Sequence, residues 1–232
     1  MHFGQRPTGV VKTLAPPELE GLRAVGTVRT YRKNESLYDL GQTADALHLV
    51  LRGRIRLRDR DREGEQVVVG FAAEGEAFGR EVLAGLPARV LSATAAEASE
   101  VLSIDGGRLN GLLSQNLSLN RHLVRDLAAS AVHLSEQIKM LAFLDVPTRL
   151  AGTILWLADR YGVSKEIGTE IPYWFTHQEM ADLIGSTRET VTTVLADFKR
   201  LELIVSRNHH FVVLNRDAVT RRMRLPDFGR ES

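Results

Sequence analysis

The sequence predicts an α+β fold made of an N-terminal β-roll, a long helix and a C-terminal winged helix-turn-helix. Three patterns along the chain lead to this fold class. Short strands separated by glycines fill residues 27 to about 104, an apolar heptad follows, and two short helices precede a hairpin near the C-terminus. We expect three parts with these bounds: the β-roll at 1–116, a dimerisation helix and hinge at 117–144, and a DNA-binding domain at 145–232.

The strands of the roll are recognised by their period of two. Leu47, Leu49 and Leu51 alternate with other residues, which is typical of half-buried strands. Strands this short and evenly spaced, with glycines in or beside the turns, favour a barrel or a roll. Arginines occupy every second position between Arg52 and Arg62, and we expect them to form a solvated face of one strand that runs into a loop, with a ligand surface as the alternative.

A long helix is predicted over about residues 117–143. Its apolar residues step by three and four positions, which is the spacing of a coiled-coil seam. A strict seam favours a partner helix, and the alternative is a single helix that packs on the roll. The expected dimer interface consists of Val124, Leu127, Ala131, Leu134, Ile138 and Leu141.

The helix should end near Asp145-Val-Pro147. Proline is favoured in the first turn of a helix, and aspartate is a good N-cap. We therefore expect Asp145 to cap a following helix that runs to about Tyr161.

The C-terminal part contains two short helices that meet at Gly185. Thr176 and Glu179 form a T-x-x-E capping box for the first helix, and Gly185 permits the left-handed turn that ends it. Along the second helix, apolar residues at i, i+3, i+4 and i+7 predict one buried stripe: Val191, Val194, Leu195 and Phe198.

The second helix opens with residues suited to base edges in a major groove. Its start at Ser186-Thr-Arg-Glu189 supplies hydroxyls, a guanidinium and a carboxylate. A hairpin at 203–215 completes a winged helix-turn-helix, and its tip suits phosphate contact. The alternative is an ordinary helical hairpin in which Ser186 and Glu189 only cap the helix. The expected DNA-binding residues are Thr176, His177, Ser186, Thr187, Arg188, Glu189, Thr192, Thr193, Lys199 and Arg207.

Composition limits the other possibilities. The chain of 232 residues has no cysteine, which excludes disulfides and thiolate-held zinc or iron–sulfur sites. It shows no secretory signal and no apolar run near 18 residues, so we expect a cytoplasmic protein without a membrane partner. The net charge is only +1, so DNA affinity must depend on local placement of cations and non-specific affinity should be modest.

Taken together, these parts resemble the CRP/FNR family of bacterial transcription regulators. The residues that carry the resemblance are Phe143-Leu-Asp-Val146 at the hinge, Gly185-Ser-Thr-Arg-Glu-Thr-Val191 at the second helix and Phe78-Gly79 in the roll. The resemblance implies a cyclic-nucleotide-binding-like jelly roll as sensor and a homodimer on pseudo-palindromic double-stranded DNA. It also implies contact with RNA polymerase and base reading by Arg188 and Glu189. Thr193 stands where cyclic-AMP receptors have a further arginine, so one guanine contact is expected to be lost.

The effector region departs from the pattern of the cyclic-AMP receptors. Those receptors resemble F-x-G-E-L followed by R-S-A, with the glutamate on the ribose and the arginine and serine on the phosphate. The corresponding residues here are Phe78, Gly79, Arg80, Glu81, Arg89 and Val90. Arg89 matches the phosphate arginine, Val90 replaces the serine, and Arg80 replaces the glutamate unless the alignment shifts by one to Glu81.

Two expectations follow for the effector, whose identity the sequence leaves unknown. Arg80 beside Arg89 would suit an anion such as a dicarboxylate. Alternatively, Arg80 and Glu81 close the pocket with an internal ion pair and no ligand binds. In both cases we expect no control by cyclic AMP, although a cyclic-nucleotide-responsive regulator with a divergent pocket is the alternative.

No cofactor, metal or catalytic function is expected. Iron–sulfur sensors of the family need cysteines, and haem is not expected because no spacing singles out His48, His122 or His133 as an axial ligand. No nucleophile–base pair or phosphate loop is present, so the protein is not expected to be an enzyme. A second function, from another class, is a small-molecule-binding regulatory module whose winged helix contacts protein.

Overall fold

The computed structural model describes residues 16–207 and 210–222. Within these ranges the chain divides into two compact units, one that ends at Ala131 and one that begins at Val132. The boundary falls inside one long helix, which therefore contributes to both units. None of the helices in the described ranges is long and apolar enough to cross a membrane.

The first unit is an antiparallel roll flanked by helices, as the strand pattern predicts. Two four-stranded sheets have the orders β1-β8-β3-β6 and β2-β7-β4-β5. The elements are α1 (Pro16–Val25), β1 (Thr27–Tyr31), β2 (Ser36–Tyr38), β3 (Ala46–Arg52), β4 (Arg54–Arg60), β5 (Gln66–Ala73), β6 (Ala77–Phe78), the 3₁₀ helix η1 (Arg80–Ala84), β7 (Ser92–Ala95), β8 (Ser99–Asp105), α2 (Gly106–Gln115) and α3 (Leu117–Phe143).

The alternation along β3 divides the core of this unit in two. Leu47 and Leu49 pack with apolar residues of the flanking helices, including Leu109 and Leu119. The residues that alternate with them point the other way, so Val50 packs inside the roll with a cluster that includes Phe78. The period of two therefore correctly predicts the alternation along β3, but the strand is not half-buried: His48 and Val50 are buried as well as Leu47 and Leu49, because helices cover one face and the second sheet covers the other.

The arginine ladder is not a solvated face along its whole length. Arg52 and Arg60 are exposed, but Arg54 and Arg56 are buried, so the expectation is wrong at these two positions. The guanidinium carbon of Arg54 lies 4.4 Å from the centroid of the Phe71 ring. β4 is an inner strand between β7 and β5, so the middle of the ladder is covered while its ends reach solvent.

Helix α3 carries two different faces. Leu119, Leu123 and Asp126 are buried against the roll unit, at positions i, i+4 and i+7. The six residues of the predicted seam are all exposed. The helix thus packs on the roll, as the alternative interpretation held, and still leaves the heptad seam uncovered.

The second unit is a winged helix-turn-helix, as predicted. Asp145 caps its first helix by accepting a hydrogen bond from the Thr148 N–H, and Pro147 lies in the first turn, which confirms the predicted hinge. The wing is confirmed as a hairpin, although Asn208 and His209 at its tip lie outside the described residues. The elements are α4 (Val146–Tyr161), β9 (Val163–Lys165), β10 (Gly168–Trp174), α5 (His177–Ile184), α6 (Arg188–Arg200), β11 (Ile204–Arg207), β12 (His210–Val213) and α7 (Arg216–Arg222).

Candidate nucleic-acid interface and effector site

The turn between α5 and α6 is set by local hydrogen bonds. The Thr176 hydroxyl accepts from the Glu179 N–H at 3.1 Å, and the Glu179 carboxylate accepts from the Thr176 N–H at 2.8 Å. This reciprocal pair confirms the predicted capping box. Gly185 ends α5 with a left-handed φ of 60°, as expected of a glycine at this position.

Helix α6 begins later than the sequence suggested. Its N-cap is Thr187, whose hydroxyl accepts from the Thr190 N–H at 3.2 Å, so the helix starts at Arg188. Ser186 stays outside, because its N–H donates to the Ala181 carbonyl and completes the end of α5. Ser186 is therefore not the N-cap, and the alternative Ser186–Glu189 capping box does not form.

The buried and exposed sides of α6 are separated as the periodicity predicts. Val191, Val194, Leu195 and Phe198 are all buried. Arg188, Glu189, Thr192, Thr193 and Lys199 are all exposed. The surface of α6 thus presents one guanidinium, one carboxylate and the hydroxyls of Thr190, Thr192 and Thr193 in its first two turns.

The hydroxyls of Thr192 and Thr193 are already hydrogen-bonded within the helix. Thr192 donates to the Arg188 carbonyl at 2.8 Å, and Thr193 donates to the Glu189 carbonyl at 3.1 Å. A hydroxyl that has used its one proton can only accept a further hydrogen bond. Thr193 can therefore accept from a base or a water, whereas an arginine at this position would donate.

One flank of α6 is cationic and contacts the start of α5. His177 Nδ1 lies 2.8 Å from the Thr192 hydroxyl. Burial lowers the pKa of His177 first, and the nearby cations Lys199 and Arg188 lower it further. A cavity of about 970 Å³ along this flank brings Thr176, His177, Arg188 and Lys199 together with Trp174. Arg207 is exposed at the end of β11.

Trp174 is the residue near this interface that sequence reasoning missed. It is the last residue of β10, two positions before the Thr176 cap, and it is 46% exposed. The sequence signal that could have identified it is its position, because a large aromatic residue two positions before the N-cap of α5 is held close to the helix-turn-helix. An arrangement of exposed cations, an aromatic ring and a wing is suited to the phosphates and bases of nucleic acid.

The effector region of the roll is organised by Arg89, which is only 3% exposed. Its Nη1 donates to the Gly79 carbonyl at 3.1 Å, and its Nη2 donates to the Ala46 carbonyl at 2.8 Å. Nη1 also lies 3.4 Å from the Glu81 carboxylate, which is itself 8% exposed. The guanidinium carbon stands 4.3 Å from the centroid of the Tyr38 ring. The arginine is therefore held on several sides by groups of the protein.

His48 completes this cluster as a neutral acceptor. Its Nε2 is 3.0 Å from Arg89 Nη2, which can only donate, so Nε2 must accept and Nδ1 carries the proton. Nδ1 then donates to the Ser103 hydroxyl at 2.8 Å. Burial lowers the pKa of His48 to about 3, with the Arg89 cation contributing to the shift. Both ring nitrogens of His48 are hydrogen-bonded within the protein, so neither is available as an axial ligand to a haem iron.

Arg80 does not lie beside Arg89. Its Nη2 forms an ion pair with the buried Asp126 carboxylate of α3 at 2.8 Å. The expected pair of arginines for a dicarboxylate is therefore not formed, and neither is the alternative Arg80–Glu81 pair. The physical reason is that successive residues of a 3₁₀ helix point about 120° apart, so η1 turns Glu81 inward and Arg80 toward α3.

Glu81 and Val90 complete the comparison with the expected pocket. Glu81 Oε1 accepts from the Val90 N–H at 3.2 Å, and the Val90 residue is largely exposed. Phe78 is buried in a stack with His48, and Gly79 adopts a left-handed φ of 70°. An added Cβ at Gly79 would lie 2.7 Å from Arg89 Nη1, so the backbone here approaches the guanidinium closely.

The cavity that borders Arg89 lies elsewhere than expected. It measures about 720 Å³ and is lined mainly by β1, β2, β3 and the segment at 41–46. Of the six residues expected to form the pocket, only Arg89 lines this cavity. The structure thus brings Phe78, Gly79, Glu81 and Arg89 into one packed cluster, and neither Phe78 nor Gly79 lines the cavity, whereas Arg89 does.

Two family models match the chain in the same order as the two units. A cyclic nucleotide-binding domain matches residues 28–116, and a Crp-like helix-turn-helix domain matches residues 148–222. The Global nitrogen regulator of Nostoc sp. is 30% identical over 179 residues, which cover 76% of this chain and 80% of that protein. The CRP-like cAMP-activated global transcriptional regulator of Mycobacterium tuberculosis is 24% identical over 216 residues, with coverage of 93% and 96%.

Solved structures agree with the fold. FixK2 from Bradyrhizobium japonicum aligns with a TM-score of 0.76 at 21% identity, and the alignment covers 87% of this chain and 99% of that one. A CooA mutant from Carboxydothermus hydrogenoformans also aligns with a TM-score of 0.76 at 21% identity, with coverage of 95% and 98%.

The Arg89 cluster predicts a large loss of stability when the cation is removed. Replacing Arg89 by Met leaves the Glu81 carboxylate buried without its charge partner, which should cost about 3–5 kcal/mol of unfolding free energy. Urea unfolding measures the loss. The double variant Arg89→Met, Glu81→Gln removes the orphaned charge and should recover part of it. A loss below about 1 kcal/mol for Arg89→Met would show that the cation is not structural.

Proposed function

The chain belongs to the CRP/FNR family of transcription regulators, and we propose that it binds pseudo-palindromic DNA as a homodimer without control by cyclic AMP. Regulators of this family bind DNA through a helix-turn-helix domain and are not enzymes. The observation that carries the proposal is the exposed first turn of α6, where Arg188 and Glu189 lie side by side.

These two side chains suit one type of base step. Arginine donates two hydrogen bonds to guanine O6 and N7, and a carboxylate accepts from the N4 amino group of cytosine. Arg188 and Glu189 thus supply complementary contacts to adjacent base pairs. Ser186, Thr187 and Thr193 are proposed to contact the same DNA, with Thr193 as an acceptor. Arg207 on the wing is proposed to bind phosphate, which positions the protein without specifying the sequence.

The uncovered seam of α3 supports the homodimer. Its six apolar residues, from Val124 to Leu141, are exposed in the single chain and follow the heptad spacing of a two-stranded coiled coil. An apolar stripe of this kind is normally covered by a partner. A second copy of the chain carries the same stripe, so a twofold axis can pair the two helices along it. Two recognition helices would then address half-sites about 34–36 Å apart.

The closed effector region supports independence from cyclic AMP. In a receptor of that nucleotide, the carboxylate binds the ribose and the guanidinium binds the phosphate. Here the Glu81 carboxylate and the Arg89 guanidinium bind each other and neighbouring backbone groups. We infer that the roll is held closed by its own side chains and that the protein binds DNA without a ligand. RNA polymerase is the further partner included in the proposal.

Charge on the seam should abolish dimerisation and DNA binding together. Leu134→Glu or Ile138→Glu would place a carboxylate between two helices, where an unpaired buried ion costs several kcal/mol. Analytical ultracentrifugation should show a monomer, and operator affinity should fall in parallel. Val132→Glu is the matched control, because Val132 is 64% exposed compared with 57% for Leu134 but lies off the seam. Dimeric Leu134→Glu protein would rule out this interface.

Substitutions of two arginines should separate specificity from general affinity. Arg188→Ala should cost about 1–3 kcal/mol on the selected site and relax the preference at one guanine per half-site. Arg207→Ala should weaken all sequences alike and reduce the slope of log affinity against log salt by about one. Binding to selected and random duplexes over a salt series measures both effects. Equal losses on both duplexes for Arg188→Ala would exclude a base contact.

Cyclic AMP should neither bind tightly nor change operator affinity. The phosphate would meet Val90 where receptors offer a hydroxyl, and the Glu81 carboxylate, which would have to accept from the ribose, is already bound to Arg89 and to the Val90 N–H. Two missing hydrogen bonds at about 1–3 kcal/mol each lower affinity by two or more decades. Calorimetry, with a cyclic-AMP receptor as positive control, should detect no micromolar binding. Micromolar binding that tightens operator affinity would mean that Glu81 turns from Arg89 to the ribose.

A further inference from the structure

The cavity beside the helix-turn-helix has walls of a distinctive chemistry. Its lining includes the buried rings of Phe175 and Phe211, the half-exposed indole of Trp174, and the cations Arg188 and Lys199. Among the described residues that line it, none is an aspartate or a glutamate. Apolar rings next to unopposed positive charge suit a ligand that is apolar in one part and anionic in another.

The cavity follows the flank of α6 rather than its base-reading face. Arg188 and Lys199 are eleven residues apart, which corresponds to about 16 Å along a helix and a rotation of only about 20°. Thr192, which is hydrogen-bonded to His177, lies on the same flank. Glu189 does not line the cavity. The groove is therefore longer than a single nucleotide and runs beside the surface that would enter the major groove.

The indole of Trp174 is 46% exposed and forms part of the wall of this cavity. Large aromatic side chains supply much of the apolar contact at interfaces, and Trp is enriched among residues that dominate binding energy. The backbone of one DNA strand has the matching composition, because each nucleotide presents an apolar deoxyribose face next to an anionic phosphate. A strand that passes between α6 and the wing would run along this groove, past Trp174 at the end of β10 and Ser206 on β11.

We propose that Trp174 is a DNA-backbone contact whose indole packs on a deoxyribose while Lys199 binds a phosphate of the same strand. The inference rests on the proposed function and adds to it an apolar contact that carries no charge. Such a contact contributes affinity that does not depend on counterion release, whereas the Lys199 contact does. This difference separates the two residues experimentally.

The test measures affinity for the selected duplex and a random duplex over a salt series. Trp174→Ala should weaken both by about five- to tenfold, the effect of losing roughly 50 Å² of apolar contact, with the salt slope unchanged. Lys199→Ala should also weaken both but lower the slope by about one. Trp174→Phe should retain most of the affinity. Val163→Ala is the matched control, because Val163 is also 46% exposed but lies on β9, outside the cavity.

Fluorescence gives a readout that a purely structural role would not move. The chain has two tryptophans, so Trp156→Phe leaves Trp174 as the only indole reporter. Its emission should be quenched or shifted by duplex DNA, and this signal should saturate with the binding curve. The inference about Trp174 is overturned, and the proposed function is kept, if the wild-type protein binds DNA while Trp174→Ala changes the affinity by less than twofold and DNA does not change the emission of Trp156→Phe. Wild-type protein that binds no duplex would overturn the proposed function itself.

Discussion

The buried guanidinium of Arg89 is the interaction around which the effector region is arranged. A guanidinium has five donors and stays charged, so burying it requires acceptors from several directions. They come from the carbonyl of Gly79, the carbonyl of Ala46, the neutral ring of His48 and the carboxylate of Glu81. Because these groups belong to segments that are distant in sequence, one cation fixes the start of η1 against β3. The same hydrogen bonds occupy both terminal nitrogens of the guanidinium, while its Nε has no hydrogen-bond partner among the described residues.

The orientation of η1 explains why the sequence could suggest the right residues for this region but not their arrangement. Aligned by motif, Arg80 takes the place of the ribose-binding glutamate, yet the structure turns Glu81 inward and Arg80 outward. The deciding partner is Asp126, which lies 46 residues later on α3. No local pattern reveals a contact of that separation. The ion pair also connects η1 to α3, so the same helix contacts the effector region and carries the proposed dimer seam.

Elsewhere, a feature is predicted correctly when the residues that form it are close together in the sequence. The capping box at Thr176, the glycine turn at Gly185 and the Asp145 cap depend on neighbours within four residues, and the sequence predicts all three correctly. The start of α6 was misplaced because two adjacent hydroxyl residues compete for one cap, and backbone hydrogen bonding to the preceding helix decides between them. The sequence does not predict the burial of Arg54. Alternation shows which residues share a face of the strand, but whether that face is covered by other residues depends on the tertiary packing of the sheet.

Because the net charge of the chain is low, its affinity for DNA must depend on where individual side chains are placed. A net charge of +1 provides little long-range attraction to DNA, so binding must come from close contacts in the right places. Helix α6 has two exposed surfaces of this kind: a first turn with Arg188 and Glu189, which we propose to contact base edges, and a cationic flank that continues to Lys199. An apolar contact at Trp174 would add affinity without adding charge. Because such a contact raises affinity for every duplex alike, discrimination between sites would be left to the base contacts proposed for Arg188 and Glu189.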